Sequence, residues 1–265
     1  MPPSPGTRPP DPAGPRILLL AGSSEASALA RRLADSEEVT VITSFAGRVQ
    51  DLSLPPGQVR IGGFGGTDGL TAWLRHESID AVIDATHPFT AVMPRHAESA
   101  CAACGIPRLR LLRPEWVPQS GDDWHPVSDL DAAAAELEMR GARRVFLTIG
   151  RQELAPFAHL TETTFLVRAI EAPDPMPLAR AELVLRRGPF ALEDELDLMT
   201  SFGADALVSK NSGGSAAAAK LEAARQLTLP VIMVTRPEAP DGPTVTSVSE
   251  ALAWCATTFP GVSLL

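Results

Sequence analysis

Short runs of β-branched and aliphatic residues alternate along this chain with longer stretches whose apolar positions recur at helical spacing. In the first half, Ile17–Leu20, Val39–Thr43, Val59–Ile61, Ala81–Asp84 and Arg108–Leu112 read as strands. Glu25–Asp35, Asp68–His76 and Pro88–Cys104 read as helices between them. Arg113–Asp129 lacks periodicity and marks a boundary. Beyond it, strands are expected near Val145–Thr148, Phe165–Ala169, Leu183–Leu185, Ala206–Ser209, Val231–Thr235 and Thr244–Ser247. Helices are expected at Leu130–Arg140, Phe190–Phe202, Ser215–Gln226 and Ser249–Thr257. Strands alternating with helices imply parallel sheets covered by helices. The expected fold class is α/β, with two doubly wound, Rossmann-like parallel-sheet domains facing each other across a cleft. Residues 16–115 form the first domain and residues 116–265 the second. Seven of the 25 prolines fall in residues 1–15, so that segment reads as a disordered tail.

Composition narrows the function. With 32 acidic and 23 basic residues the net charge is −9, a poor balance for binding nucleic acid or an anionic membrane surface. No apolar run approaches the ~20 residues of a membrane span. The first residues lack a charged-then-apolar signal pattern, so a soluble cytoplasmic protein is expected. Tyrosine is absent, which excludes a tyrosine acid. The three cysteines are too few for a disulfide framework. Cys101 and Cys104 lie at the end of a helix, not its start, and no second pair completes a zinc site, so no metal is expected.

Chemistry-bearing residues cluster where strands end. The first strand runs through Gly22-Ser23-Ser24-Glu25 into a helix, a turn that aims backbone N–H groups at an anion such as a pyrophosphate. The same residues also fit an ordinary N-cap. The second strand leads into Ser44-Phe45-Ala46-Gly47-Arg48 with no acid to hold a ribose 2′-hydroxyl. Serine and arginine there suit a 2′-phosphate, the alternative being a solvated turn. Gly62-Gly63-Phe64-Gly65-Gly66 brings backbone close to a flat ligand, with Phe64 to cover it, or is a flexible loop. Asp84-Ala85-Thr86-His87-Pro88-Phe89 puts Thr86 and His87 at a strand's carboxyl end, with Pro88 at the first helical position. His87 is the one histidine so placed, either touching ligand or capping locally. The other four (His76, His96, His125 and His159) fall in helical or loop contexts.

In the second half, Gly150-Arg151 follows one strand, and Lys210-Asn211-Ser212-Gly213-Gly214 follows another ahead of an Ala-rich helix. The latter is a second anion cradle that holds one of only two lysines; a capped helix with a loose loop accounts for the glycines but not for the lysine. Arg236 lies after the next strand.

Taken in order, Gly22–Glu25, Ser44–Arg48, Gly62–Gly66, Asp84–Phe89, Leu112-Arg-Pro-Glu-Trp116 and Ser209–Gly214 resemble the precorrin-6A reductase family, from Arg16 to the C-terminus. Ser23 departs from the threonine of many members but keeps the hydroxyl. The resemblance implies NADPH-dependent reduction of a ring double bond of precorrin-6A, giving precorrin-6B in cobalamin biosynthesis. It implies cofactor contacts from Gly22, Ser23, Ser24, Glu25, Ser44, Gly47, Arg48, Gly63, Phe64, Gly65 and Thr86. His87, Arg113, Arg151, Lys210, Asn211, Ser212, Gly213, Gly214 and Arg236 would meet a polycarboxylated tetrapyrrole, with His87 also the candidate proton donor. Handover to neighbouring pathway enzymes is a further implication. The alternatives are a cobalt-precorrin-6A reductase, another two-domain nucleotide-dependent enzyme such as a glycosyltransferase, and a non-catalytic ligand-binding protein.

Overall fold

A computed structural model describes residues 14–47 and 54–262. The first strand, β1 (Arg16–Ala21), is buried along its whole length, as expected for a central parallel strand covered on both faces. Around it lie β2 (Thr40–Phe45), β3 (Gln58–Ile61), β4 (Ala81–Ala85) and β5 (Arg108–Leu111). The connections are α1 (Ser24–Ala34), α2 (Gly66–His76) and α3 (Val92–Cys104). Ser23 caps α1, its hydroxyl accepting from the Ala26 N–H, and α3 stops at Gly105 in the left-handed region. The start of α3 differs from the sequence expectation, because Pro88 sits in a turn closed by the Thr90 N–H on the His87 carbonyl. The cause is a second proline. Pro94 falls in the first turn of the observed helix, where its missing N–H costs nothing, whereas a helix begun at Pro88 would carry it inside.

The second unit begins with β6 (Trp124–Val127), a short strand inside the stretch read as aperiodic. Then follow α4 (Leu130–Arg140), β7 (Arg144–Leu147), β8 (Thr164–Ala169), β9 (Ala181–Leu185), α5 (Leu192–Phe202), β10 (Ala206–Lys210), α6 (Ala219–Gln226) and β11 (Val231–Val234). The helix expected to start at Ser215 is divided: Ser215–Ala217 is a 3-10 turn, and α6 follows with no side-chain cap.

The chain then returns to the first unit. β12 (Thr244–Val245) pairs in parallel with β5, and α7 (Val248–Thr258) packs on α1. Pro114–Pro237 is one compact unit, and the described residues before and after it make the other. This corrects the expectation that residues 116–265 form one domain, since everything from Glu238 on belongs to the first unit. The local pattern of β12 and α7 was legible, but nothing local says which sheet a two-residue strand will join.

Both sheets have six parallel strands, in the orders β3-β2-β1-β4-β5-β12 and β9-β8-β7-β10-β11-β6. The first is the 3-2-1-4-5-6 order of dinucleotide-binding sheets, its sixth strand supplied by the returning C-terminal segment. In the second, β7–β11 repeat the 3-2-1-4-5 part and the sixth place is taken by β6, the strand that precedes them. In the first unit α1 and α7 cover one face over Ile17, Leu19, Leu29 and Leu252, while α2 and α3 cover the other over Leu18, Leu70, Leu74 and Ala97. In the second, α5 and α6 pack over Phe146, Met199, Phe202 and Leu207. Among the described residues no helix is long and apolar enough to cross a membrane.

Candidate active site

In a doubly wound sheet the crevice opens beyond the carboxyl ends of the two strands where the order reverses. In the first unit these are β1 and β4, and the segments that follow them are Gly22-Ser23 and Thr86-His87. They touch. A Cβ on Gly22 would stand 2.8 Å from the His87 backbone nitrogen and 3.1 Å from the Thr86 Cα, so only glycine fits. Ser23 Oγ, besides capping α1, donates to the Ala85 carbonyl at 3.0 Å and ties the two strand ends together.

A pocket of about 370 Å³ opens here. Gly22, Ser44, Gly63, Phe64, Thr86 and His87 line it, with Gly62, Met93 and His96. His96, read from sequence only as a helical residue, therefore shares a pocket with His87. Below the floor, Asp84 Oδ1 accepts from both the backbone N–H (3.1 Å) and the hydroxyl (2.7 Å) of Thr86. Arg110, across the β4–β5 ladder, approaches Asp84 Oδ2 at 3.9 Å. Both side chains are almost fully buried. At that distance the two are not hydrogen-bonded, and Thr86 is held by its two bonds to Asp84 Oδ1. The Phe89 N–H donates to His87 Nδ1 at 3.3 Å. A neutral His87 accordingly carries its proton on Nε2.

Arg60 is a second residue that the sequence reading passed over. It stands opposite Ser44 in the β2–β3 ladder, and its guanidinium reaches the carbonyls of Gly62 and Gly63. Burial pulls its pKa below the ordinary value, though an arginine stays cationic.

The other described residues expected to touch cofactor, Ser23, Ser24, Glu25, Gly47 and Gly65, are not among those that line the pocket. Glu25 pairs with Arg113 at 3.1 Å and accepts from Ser24 Oγ at 3.0 Å, so Arg113 belongs to this sheet edge. Gly47 and Gly65 have φ of +75° and +85°, and Gly65 opens α2. Arg48 lies outside the described residues. Cys101 and Cys104 are both free thiols, and burial pushes that of Cys101 up to about 12.

In the second unit the reversal falls between β7 and β10, beyond which lie Thr148–Arg151 and Asn211–Gly214. Lys210, at the end of β10, pairs with Glu153. Asn211 is spent on the chain entering the unit. Its Oδ1 accepts from the Trp116 N–H at 2.9 Å, and its Nδ2 donates to the Trp116 carbonyl at 3.1 Å. A Cβ on Gly213 would meet the Pro114 carbonyl at 1.9 Å, and the Gly214 carbonyl accepts from the Trp116 indole. Arg236 gathers the carbonyls of Asn211, Ser212 and Pro114. Arg151 pairs with Glu171 at 2.5 Å on the wall of a separate pocket of about 510 Å³. Buried Lys220 donates to Thr148 Oγ1 at 3.0 Å, a contact the sequence gave no reason to expect.

A glycine-lined crevice at the reversal point of a 3-2-1-4-5-6 sheet defines a nucleotide-binding α/β protein. A family model described as precorrin-6x reductase CbiJ/CobK matches residues 16–256, and the chain belongs to that family. It is 51% identical over 243 residues to a precorrin-6A reductase of Rhodococcus erythropolis, covering 91% of this chain and 98% of that one. To a precorrin-6A reductase of Mycobacterium tuberculosis it is 48% identical, with 91% and 97% covered. A cobalt-precorrin-6A reductase of Priestia megaterium is 29% identical, with 89% and 96% covered. The solved structure of a CobK precorrin-6A reductase superposes with a TM-score of 0.86 at 41% identity, covering 92% of this chain and 97% of that one. The protein is thus an oxidoreductase of cobalamin biosynthesis, NADPH-dependent as its family is.

Proposed function

We propose that the protein reduces one ring double bond of precorrin-6A with NADPH to give precorrin-6B, and that the first-unit crevice receives the cofactor. The observation that carries the cofactor placement is the contact of Gly22 with His87, a gap that only a glycine leaves. The residues fit a dinucleotide. The side-chain-free turn and the α1 N-terminus suit a pyrophosphate, and the end of β2 offers Ser44 with no carboxylate among the described residues. Thr86, Gly63 and Phe64 complete that wall, Arg48 is assigned to the 2′-phosphate, and Gly47 and Gly65 shape the loops.

When bound, NADPH supplies the hydride. The chain's task is then to hold the acceptor carbon in near-attack geometry and keep water from the transfer. His87 donates from Nε2 to a substrate carboxylate, and solvent supplies the ring proton. Its Nδ1 already accepts the Phe89 N–H, and a neutral imidazole is a hydrogen-bond donor before it is an acid. Arg113, Arg151, Lys210 and Arg236, with the Asn211–Gly214 turn, are assigned to the carboxylates of the tetrapyrrole. The metal-free substrate is favoured over the cobalt form by identities of 51% and 48% against 29%.

The test is spectrophotometric. NADPH oxidation should require precorrin-6A and run faster with it than with its cobalt analogue. NADP should raise the melting temperature while NAD does not, and Arg48→Ala should raise the NADPH KM ~10-fold, the scale of one lost charged hydrogen bond. Equal use of both substrates would remove the metal-free assignment, and stabilisation by NAD would remove the 2′-phosphate assignment.

A further inference from the structure

Arg60 binds the mouth of the first-unit crevice together. Nη1 donates to Ser44 Oγ at 3.3 Å and to the Gly62 carbonyl at 2.5 Å, and Nη2 donates to the Gly63 carbonyl at 2.6 Å. The guanidinium carbon lies 3.7 Å from the centroid of the Phe64 ring, which in turn meets the Trp73 ring edge-on at 5.3 Å. Apart from the Gly62 N–H, which donates to the Phe45 carbonyl at 2.9 Å, little packs against the glycines. Gly62, Gly65 and Gly66 have φ of +117°, +85° and +83°, and among the described residues no atom lies within 4 Å of a Cβ placed on any of these three or on Gly63. Glycine loses the most conformational freedom on ordering, so a loop of this kind is held by hydrogen bonds to its carbonyls. One arginine supplies them.

The same guanidinium stands beside the end of β2, where a ribose 2′-substituent lies in sheets of this order. A guanidinium has five donors, and the three bonds above leave one on Nε and one on Nη2 among the described residues. Phe64 holds the planar group flat, so its donors are oriented before any ligand arrives. Resting on the reading that this crevice receives NADPH, we propose that Arg60 is a specificity-determining residue, which orders the Gly62–Gly66 loop and with Ser44 reads the 2′-phosphate. In that role it gives a net acidic chain a fixed positive charge beside the end of β2. Lysine would keep the charge but not the flat fork.

The test separates phosphate reading from loop shape, using calorimetry with adenosine 2′,5′-bisphosphate and with 5′-AMP on the full chain. Arg60→Ala should weaken the bisphosphate about 10- to 100-fold, the range of a charge-assisted contact, and 5′-AMP by no more than about threefold. The NADPH to NADH ratio of kcat/KM should fall in parallel. Arg60→Lys should lose several-fold in the same direction, and it carries the test if the alanine variant does not fold cooperatively. Equal weakening of both nucleotides would overturn the proposal, leaving Arg60 only a loop clamp, as would an unchanged ratio. Hydrogen exchange of residues 58–66 in the unmodified protein isolates the underlying assumption. If the bisphosphate binds without protecting them, the cofactor lies elsewhere and it is the crevice reading that fails.

Discussion

Gly22 and His87 lie on different strand ends, 65 residues apart in sequence, yet their backbones are close enough that a single methyl group would not fit between them. The contact is what makes the crevice a crevice. It brings the turn after β1 against the turn after β4, so that a ligand on one rests on the other. Gly22→Ala should therefore push the two turns apart. We expect a loss of about 1–3 kcal/mol in unfolding free energy, the usual cost of overpacking, and at least ~10-fold weaker NADP binding. Denaturant unfolding and calorimetry on the same preparation measure both. Unchanged stability and binding would mean the turns yield freely and the contact is incidental.

For His87 the expected outcome is a binding defect. With Nδ1 engaged by the Phe89 N–H, His87→Ala should raise the KM for the tetrapyrrole and lower turnover only a few-fold, with the pH profile unchanged. General acid catalysis would instead cost ~10²-fold or more and erase one limb of that profile. NADPH binding should be unaffected in either case. Steady-state kinetics from pH 5 to 9 decide between the two.

Much of this arrangement was legible in the chain, and the gaps have a common cause. Buried parallel strands announce themselves as apolar runs, and turn glycines announce the crevice, so β1, β4 and the segments after them could be placed from sequence. What could not be placed were properties of pairing. Arg60 and Arg110 look like ordinary strand residues until Ser44 and Asp84 appear beside them across the ladder. β6 was missed because it is four residues long, sits at a sheet edge and contains Pro126, which edge strands tolerate. β12 was seen as a strand but given to the wrong sheet, since its partner β5 is set by long-range packing. Asn211 and Gly213 stood out as ligand residues, and the structure shows what else they do: they hold the Pro114–Trp116 segment.

The last helix offers a pH-dependent prediction. Glu250 and Ser247 form a capping box at the start of α7, and bonds from the Thr246 backbone N–H and hydroxyl hold the Glu250 carboxyl below its ordinary pKa. A depressed folded-state pKa means the stabilisation is present above the unfolded pKa and lost as pH falls through the folded one. Glu250→Gln should thus lower the melting temperature at pH 7, and the gap from the unmodified protein should shrink as pH drops below about 4, the ordinary carboxylate range. Melting curves across that interval test it. A gap independent of pH would show that the lost charge is not what matters.

The turn after β10 should divide under mutation, because adjacent residues there serve different ends. Lys210 pairs with Glu153 at the strand's carboxyl end, and the Glu153 side chain is exposed enough for water to replace the pair, so Lys210→Ala should leave unfolding cooperative and within about 1 kcal/mol of the unmodified protein. Turnover, by contrast, should fall at least ~10-fold, the scale of one charged contact to a substrate carboxylate. Gly213→Ala is the opposite case. Its φ of +67° disfavours any side chain, and the new methyl would meet the Pro114 carbonyl at 1.9 Å, backbone that Arg236 also grips. The segment entering the second unit must then shift, and we expect a large loss of stability whether or not substrate is present. Thermal unfolding and turnover measured on both variants give a crossed pattern if the division is real. A Lys210 variant that melts early yet reduces substrate normally would reverse it, making the lysine a structural pair and leaving the carboxylates to Arg113, Arg151 and Arg236.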